Sequence, residues 1–287
     1  KQIRLSFSSN FKKMSELSKF EITIILPTLN EGENLKFLLV DFIDEFTNAR
    51  IESYEILIMD DGSDDGTDII CRELNKQNQR IKLIKRKDPP SLPMAIYEGI
   101  LKSKYKNVMW LDADGSMSAY SAVELIKKYS FSDSQVVIGS RFVQGGGYKG
   151  VKDLSQNSIF TSIRNVNKSK DSVSGMLASI IFNKLLNLIL KIDIKDLTSG
   201  FIIGNKELFK ESYFKDKNYG EYFIYLISNF YLKKVKIEEV GYICGTRQYG
   251  ESKTASSIFQ LFSRGLPYLM AANECRKLKN ANSWFRQ

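Results

Sequence analysis

The sequence predicts an α/β protein, with one mostly parallel central sheet flanked by helices in a single domain. Three observations carry this expectation. Short β-branched runs alternate with longer helical patterns through the first half of the chain. Those runs are apolar almost without interruption, as parallel strands buried on both faces must be. Polar clusters follow four of them, and open parallel sheets bind ligands just beyond the carboxyl ends of their strands.

The first strand is "EITIIL" (21–26), which leads into "PTLNE" (27–31) and the helical "ENLKFLLVDFIDEF" (33–46). The second, "YEILIM" (54–59), runs into "DDGSDDGT" (60–67), where Asp65 and Thr67 suit the cap of the next helix. "IKLI" (81–84) is the third. "VMWL" (108–111) is the fourth and ends in "DADGS" (112–116), while the fifth, "QVVIG" (135–139), ends in "GSR" (139–141). After Arg141 the texture changes. Residues 145–172 are polar, basic and glycine-started, too long for an ordinary connection, and are expected to form a mobile substrate loop. An apolar helix over 173–191 follows, then "DLTSGF" (196–201), a further α/β portion ending in the strand "KIEEVGYI" (236–243), and a helical tail from Thr254 to about Leu278. No internal repeat is present, and no composition shift marks a second domain.

Composition excludes several chemistries. The 287 residues include no histidine, which rules out Ser-His-Asp and Cys-His catalysis and any His-ligated metal. Cys71, Cys244 and Cys275 are odd in number and have no CxxC spacing, so neither a disulfide framework nor a zinc site is indicated, and a reducing compartment fits best. A formal charge of +9 favours anionic partners: nucleic acid, phospholipid headgroups or a phosphorylated substrate. The basic residues are interleaved with acids, which argues against nucleic acid. No run reaches the roughly 20 apolar residues that span a bilayer.

Asp112 and Asp114 are the sharpest chemical signal. In extended backbone, residues i and i+2 share a face, so the two carboxylates converge at a strand end with small Ala113 between them. Such a pair shares a proton or binds a cation. A hard divalent ion, Mg²⁺ or Mn²⁺, with oxygen ligands fits better than a proton-sharing dyad, because no glycosidase or aspartic-protease signature accompanies it. A solvated Asp-rich turn is the plain alternative. An ion held by two carboxylates keeps positions for water and substrate phosphate, so a di- or triphosphate is the expected ligand. Walker A and GxGxxG motifs are both missing from the chain. Asp60 and Asp61, at the end of the second strand, are placed to accept from a base N–H or a ribose hydroxyl.

The ordered set "IILPTLNEGENL", "ILIMDDGSDDGTDII", "VMWLDADGS", "VVIGSRFVQGG", "DLTSGF" and "RQYGESKT" resembles glycosyltransferase family 2, and within it the dolichol-phosphate mannose synthase-like polyprenyl-phosphate glycosyltransferases. The resemblance covers about residues 21–254 and implies a GT-A-type, Rossmann-like fold. Residues 1–20 then form an N-terminal extension and 255–287 a C-terminal helical tail. The implied reaction is inverting transfer of a hexose from a nucleotide diphosphate sugar, of GDP-mannose or UDP-glucose type, to a dolichyl or undecaprenyl phosphate. It would take place at the cytoplasmic face of a membrane with which the chain associates peripherally. The alternative is a soluble family 2 enzyme acting on a polysaccharide or glycan hydroxyl.

Carried over position by position, the resemblance implies that Pro27, Leu29, Glu31, Asp60 and Asp61 line the nucleotide pocket. Leu29 replaces a frequent aromatic residue. Asp112 and Asp114 match the metal-binding pair, and Ser116 falls where relatives offer a Gln. Arg141 would approach the donor or acceptor phosphates, while Arg247, Ser252 and Lys253 would close over the diphosphate. "SLPMAIYEG" (91–99), with Pro93 in it and Pro89 and Pro90 just before, has proline where the family has glycines. Arg164, Lys168 and Ser172 correspond to the acceptor-phosphate region. A hydroxyl acceptor would need a carboxylate base, for which Glu221 is the candidate, its other reading being a charge at a helix N-terminus. The apolar helix would lie in the membrane interface with Ile180, Ile181, Leu185 and Leu188 toward lipid, or be an ordinary core helix. A basic face would add about 1 kcal/mol per Lys or Arg near anionic lipid.

Overall fold

A computed structural model describes residues 16–148, 151–152, 170–245 and 258–284. The strands of the first half form where the sequence places them: β1 (Glu21–Thr28), β2 (Ser53–Asp60), β3 (Ile81–Lys85), β4 (Asn107–Trp110) and β5 (Val136–Ser140). Between them run α1 (Gly32–Ala49), α2 (Thr67–Gln77), α3 (Leu92–Lys102) and α4 (Ala119–Phe131). The second half supplies β6 (Gly147–Tyr148), β7 (Val151–Lys152), α5 (Lys170–Leu190), β8 (Ile202–Asn205), α6 (Tyr222–Leu232), β9 (Ile237–Gly241), β10 (Ile243–Cys244) and α7 (Ile258–Trp284). The strand expected over 236–243 is therefore two. Gly241 closes β9 where its backbone lies against that of residues 144–146, too close to admit a Cβ.

The main sheet has the order β3-β2-β1-β4-β8-β5-β9, and a small second sheet has the order β10-β6-β7. All main-sheet pairings are parallel except those of β8, which runs antiparallel to both β4 and β5. β8 lies between β4 and β5, so these two are not the direct neighbours that an unbroken βαβ alternation would make them, and the four residues of β8 carry no strand signal in the sequence.

Side-chain alternation divides the core into two layers. Ile24, Leu26, Ile56, Ile58, Met109 and Val137 face α1 and α4, packing on Leu35, Phe42, Phe46, Val123 and Ile126. Ile25, Leu57, Met59, Val108, Trp110 and Ile138 face the other way, onto Ile96, Ile100, Leu186, Phe223 and Ile227. Each of these side chains contributes roughly 1.5–3 kcal/mol on burial, which makes shifting any inner strand by one residue prohibitive. That fixed register matters for chemistry. Thr28 pairs with Asp60 and Ile25 with Trp110, so the first two strands and the acidic segment after β4 end at one level.

Helix α3 lies close on the sheet because Gly99 has no side chain; a Cβ there would come within 2.6 Å of Ile25. Proline does not disturb its start: Ser91 caps it by accepting from Met94 N, and Pro93 sits in the first turn, where its missing N–H costs nothing. The C-terminal helix is part of the packed body, with Ala271, Ala272 and Cys275 buried in the second layer. Its Lys279 donates to the carbonyls of Leu190 and Lys191 at the end of α5. Among the described residues, no helix is long and apolar enough to cross a membrane.

Candidate active site

The loops after β1 and β2 are tied to each other before any ligand is considered. Asn30, at φ 57°, donates its N–H to Ser63 Oγ and accepts from Asp64 N through Oδ1. Asp65 accepts from Gly32 N at 2.8 Å and from Thr67 N at 3.1 Å, which joins the N-termini of α1 and α2. Desolvation alone would raise the Asp65 carboxyl, but the hydrogen bonds from Thr67 and Gly32 outweigh it and hold the group below its ordinary range. Pro27 is the penultimate residue of β1, Leu29 is exposed, and Glu31 is nearly buried with Oε2 accepting from Asn34 Nδ2 at 2.7 Å.

Asp60 and Asp61 differ in role although adjacent. Asp60 is buried and receives the backbone N–H and hydroxyl of Ser63. Asp61 pairs with Arg86, whose side chain is only 1% exposed, and its other oxygen accepts from Ser91 N at 3.0 Å. Arg86 also grips Glu98 Oε1 through Nε and Nη2, at 3.0 and 2.7 Å. Asp61, read as a nucleotide contact, thus braces the start of α3. Arg86 was missed by sequence reasoning; a lone arginine in "KRKD" carries no signal of its carboxylate partners 25 residues before it and 12 after.

Asp112 stands exposed two residues past Trp110, Ala113 is buried, and Asp114 is half-buried. Gly115, at φ 77°, turns the chain so that Ser116 N reaches Asp114 Oδ1 at 2.9 Å. Two further contacts brace the acidic loop: Ser118 Oγ caps α4 by accepting from Ser121 N, and Gly245 N donates to Ser116 O at 2.8 Å. The second contact brings the segment after β10 onto the acidic loop two residues before Arg247. Arg247, Ser252, Lys253, Arg164 and Lys168 lie outside the described residues; Ser172 lies in the first turns of α5, its side chain likewise outside them.

Arg141 is nearly buried and held by a carboxylate that is wholly so. Its N and Nε donate to Asp196 Oδ2 at 2.9 and 2.8 Å, and Nη2 donates to Asp196 Oδ1 at 2.7 Å and to Thr198 Oγ1 at 2.8 Å. Burial opposes the cation, but Asp196 prevails and raises its pKa well above the usual arginine value. The acidic pair belongs to the same neighbourhood: burial pushes the Cys244 thiol up, Arg141 pulls it down, and Asp114 and Asp112 push it up again. Asp196 and Thr198 come from "DLTSGF", a motif legible in the sequence whose hold on Arg141 only the folded chain reveals. Asn183 of α5 completes the cluster, donating to Thr198 Oγ1 at 3.0 Å and accepting from Leu197 N at 2.8 Å.

The wall behind the acidic loop is aromatic. Trp110 Nε1 donates to the Tyr222 hydroxyl at 2.9 Å, and Tyr222 stacks on Phe214. Tyr268 of α7 reaches Gly220, where a Cβ would collide with its hydroxyl. Glu221 is buried, and its two oxygens accept from Asn218 N at 2.6 Å and Tyr219 N at 3.0 Å, so it secures the turn preceding α6.

The acidic pair suits a hard divalent ion by donor chemistry: carboxylate oxygens at an exposed strand tip, with no imidazole anywhere in the chain. Among the described residues no group of three or more His, Cys, Asp or Glu side chains forms a ready metal cage, and an ion held by this pair alone would keep positions for water or substrate oxygens. A surface hollow of ≈ 660 Å³, lined by Ile43 and residues 77–80, lies by the turn entering β3, at the opposite edge of the sheet from these acids.

A mostly parallel sheet with paired acids at an inner strand tip and a braced arginine beside them defines a GT-A-type glycosyltransferase architecture. The chain belongs to glycosyltransferase family 2, whose sequence profile matches residues 23–213. It is 28% identical over 255 residues to a dolichol-phosphate mannosyltransferase of Pyrococcus furiosus, covering 87% of this chain and 64% of that protein. It is 32% identical over 144 residues to a dolichyl-phosphate beta-glucosyltransferase of Dictyostelium discoideum, covering 47% of this chain and 44% of that one. The chain thus spans about half to two-thirds of the length of these curated relatives. Glucosyl-3-phosphoglycerate synthase from Mycobacterium tuberculosis, solved with Mn²⁺, UDP and phosphoglyceric acid, shares the fold at a TM-score of 0.62 and 16% identity, over 93% of this chain and 82% of that one.

Proposed function

We propose that the chain transfers a hexose with inversion from a nucleotide diphosphate sugar to a polyprenyl phosphate, working at a membrane surface with Mg²⁺ or Mn²⁺. The observation that carries this reading is the Asp112/Asp114 pair at the tip of β4, flanked by the Asp196-held Arg141 and approached by the chain leading to Arg247 and Lys253. Asp112 and Asp114 hold the ion, which when bound neutralises charge on the departing nucleoside diphosphate. Pro27, Leu29, Glu31 and Asp60 line the nucleotide side. Arg141 orients a phosphate, and Arg247, Ser252 and Lys253 cover the diphosphate.

A phosphate acceptor is already anionic at neutral pH and needs no strong base. That Glu221 spends both oxygens on backbone N–H groups favours such an acceptor over a hydroxyl. Arg164, Lys168 and Ser172 take the acceptor phosphate. Helix α5 exposes Ile181, Leu185 and Leu188, with Ile180 half-buried, and α7 exposes Leu266 and Met270. These apolar faces support peripheral docking on a membrane surface. Residues 21–254 carry the chemistry, and 255–287 buttress it through α7.

The test is transfer from GDP-mannose, UDP-glucose and UDP-N-acetylglucosamine, with and without short-chain polyprenyl phosphate, in Mn²⁺ and in chelator. Metal-dependent product formation with polyprenyl phosphate is expected. Turnover with a glycan acceptor and none with the lipid phosphate would sink the acceptor assignment.

A further inference from the structure

Two consecutive glutamates on β9 face opposite ways, as strand geometry requires, and they fasten different parts of the fold. Glu238 pairs with Lys128 and receives the Ser134 hydroxyl, fastening the edge strand to the α4 side. Glu239 points to the other face. Its Oε2 accepts from Lys195 N at 2.8 Å and its Oε1 from Asp196 N at 3.1 Å, and the Ser140 hydroxyl also bonds to it. A half-buried carboxylate therefore holds both N–H groups of the peptide turn from which Asp196 reaches Arg141. Burial pushes the Glu239 carboxyl up while these donors pull it down. The arrangement spends a costly charge on a two-residue backbone segment.

We propose that Glu239 is a positioning residue for sugar transfer: it fixes the 195–196 turn, and through Asp196 it sets the orientation of the Arg141 guanidinium. The proposal rests on the reading of Arg141 as a phosphate contact. Three links form one chain, Glu239 to the Asp196 backbone, Asp196 to Arg141, and Asn183 with Thr198 closing the far side. Glutamine at 239 can accept at one oxygen only and would aim an NH₂ at the other N–H. The turn would lose one anchor, and Arg141 its fixed plane.

The experiment compares Glu239→Gln, Glu239→Asp, Arg141→Lys and the Glu239→Gln/Arg141→Lys double variant in transfer to polyprenyl phosphate, with thermal midpoints recorded alongside. Glu239→Gln is expected to lower kcat/KM by about tenfold with little change in KM for the nucleotide sugar, and Glu239→Asp, which keeps the charge, should recover part of it. The double variant should be no worse than Arg141→Lys alone, since both changes interrupt one linkage. Additive losses, or activities that simply track the thermal midpoints, would overturn the positioning role. If Glu239→Gln does not fold, the Glu239→Asp and Arg141→Lys pair gives the same cycle. An unaltered chain that transfers no hexose overturns the functional reading and this proposal with it, whereas an Arg141→Lys variant of full activity overturns the phosphate role of Arg141 and this proposal but leaves the transfer reading standing. Loss in Arg141→Lys with full activity in Glu239→Gln overturns this proposal alone.

Discussion

Replacing Arg86 by Met tests whether the Asp61 carboxylate is structural. The guanidinium is 1% exposed and stands between Asp61, 7% exposed, and Glu98, 22% exposed. Methionine fills much of the volume, so the main cost is electrostatic. Removing one partner of a buried ion pair strands the other, at about 3–5 kcal/mol. Glu98 can turn to water, which places the expected loss near the lower end, about 3 kcal/mol. Urea unfolding followed by circular dichroism reads it directly, with an unchanged denaturant slope as the control. Adding Asp61→Asn to Arg86→Met removes the stranded charge and should restore about half of the loss. By the same logic Asp61→Asn alone should lower stability before it lowers nucleotide affinity. A loss below about 1 kcal/mol for Arg86→Met, the range of exposed pairs, would refute the reasoning.

Asp114→Ala should abolish metal-dependent turnover while costing only about 1 kcal/mol of stability, for the lost bond from Ser116 N; retained turnover would remove the acidic pair from the chemistry. Ile181→Glu with Leu188→Glu, both on the exposed face of α5, should weaken co-sedimentation with anionic vesicles and leave the unfolding free energy within about 0.5 kcal/mol per site. Burial, reinforced by Asp60, Asp68 and Asp65, pushes the Cys71 thiol from 9.0 up to about 12. The folded state therefore keeps its proton longer than the unfolded state. Its share of stability is complete below pH 9 and is lost as pH climbs toward 12. Iodoacetamide at pH 8 should leave Cys71 unmodified in the folded protein, and rapid native-state alkylation there would contradict this.

The first half of the fold was legible because its signals are local. "EITIIL", "YEILIM" and "VMWL" each declare a doubly buried strand, and the polar clusters after them mark one edge. β8 was not legible. "IIGN" is short, and its direction is set by where the chain re-enters the sheet after α5, which periodicity does not encode. The same division runs through the site. Asp112 and Asp114 announce themselves by spacing, whereas the Arg86 and Asp196 pairings join residues 25 and 55 positions apart and exist only in three dimensions. Asp61 and Glu221 illustrate the converse. Both occupy positions that invite a ligand, yet Asp61 divides its oxygens between Arg86 and Ser91 N, and Glu221 gives both of its own to backbone N–H groups.

The reversed strand also fixes a dimension. Because β8 intervenes, the tips of β4 and β5 stand two strand spacings apart, about 9.5 Å, and it is the beginning of β8 that arrives between them. The floor of that trough is therefore the "TSG" corner, with Gly200 at φ 71° and the Tyr222 hydroxyl 3.7 Å from where a side chain would start. A methyl group there would meet backbone strain at ordinary contact with that hydroxyl, so the spacing between the acidic pair and the Arg141 guanidinium is set by topology, and the corner beneath it requires glycine.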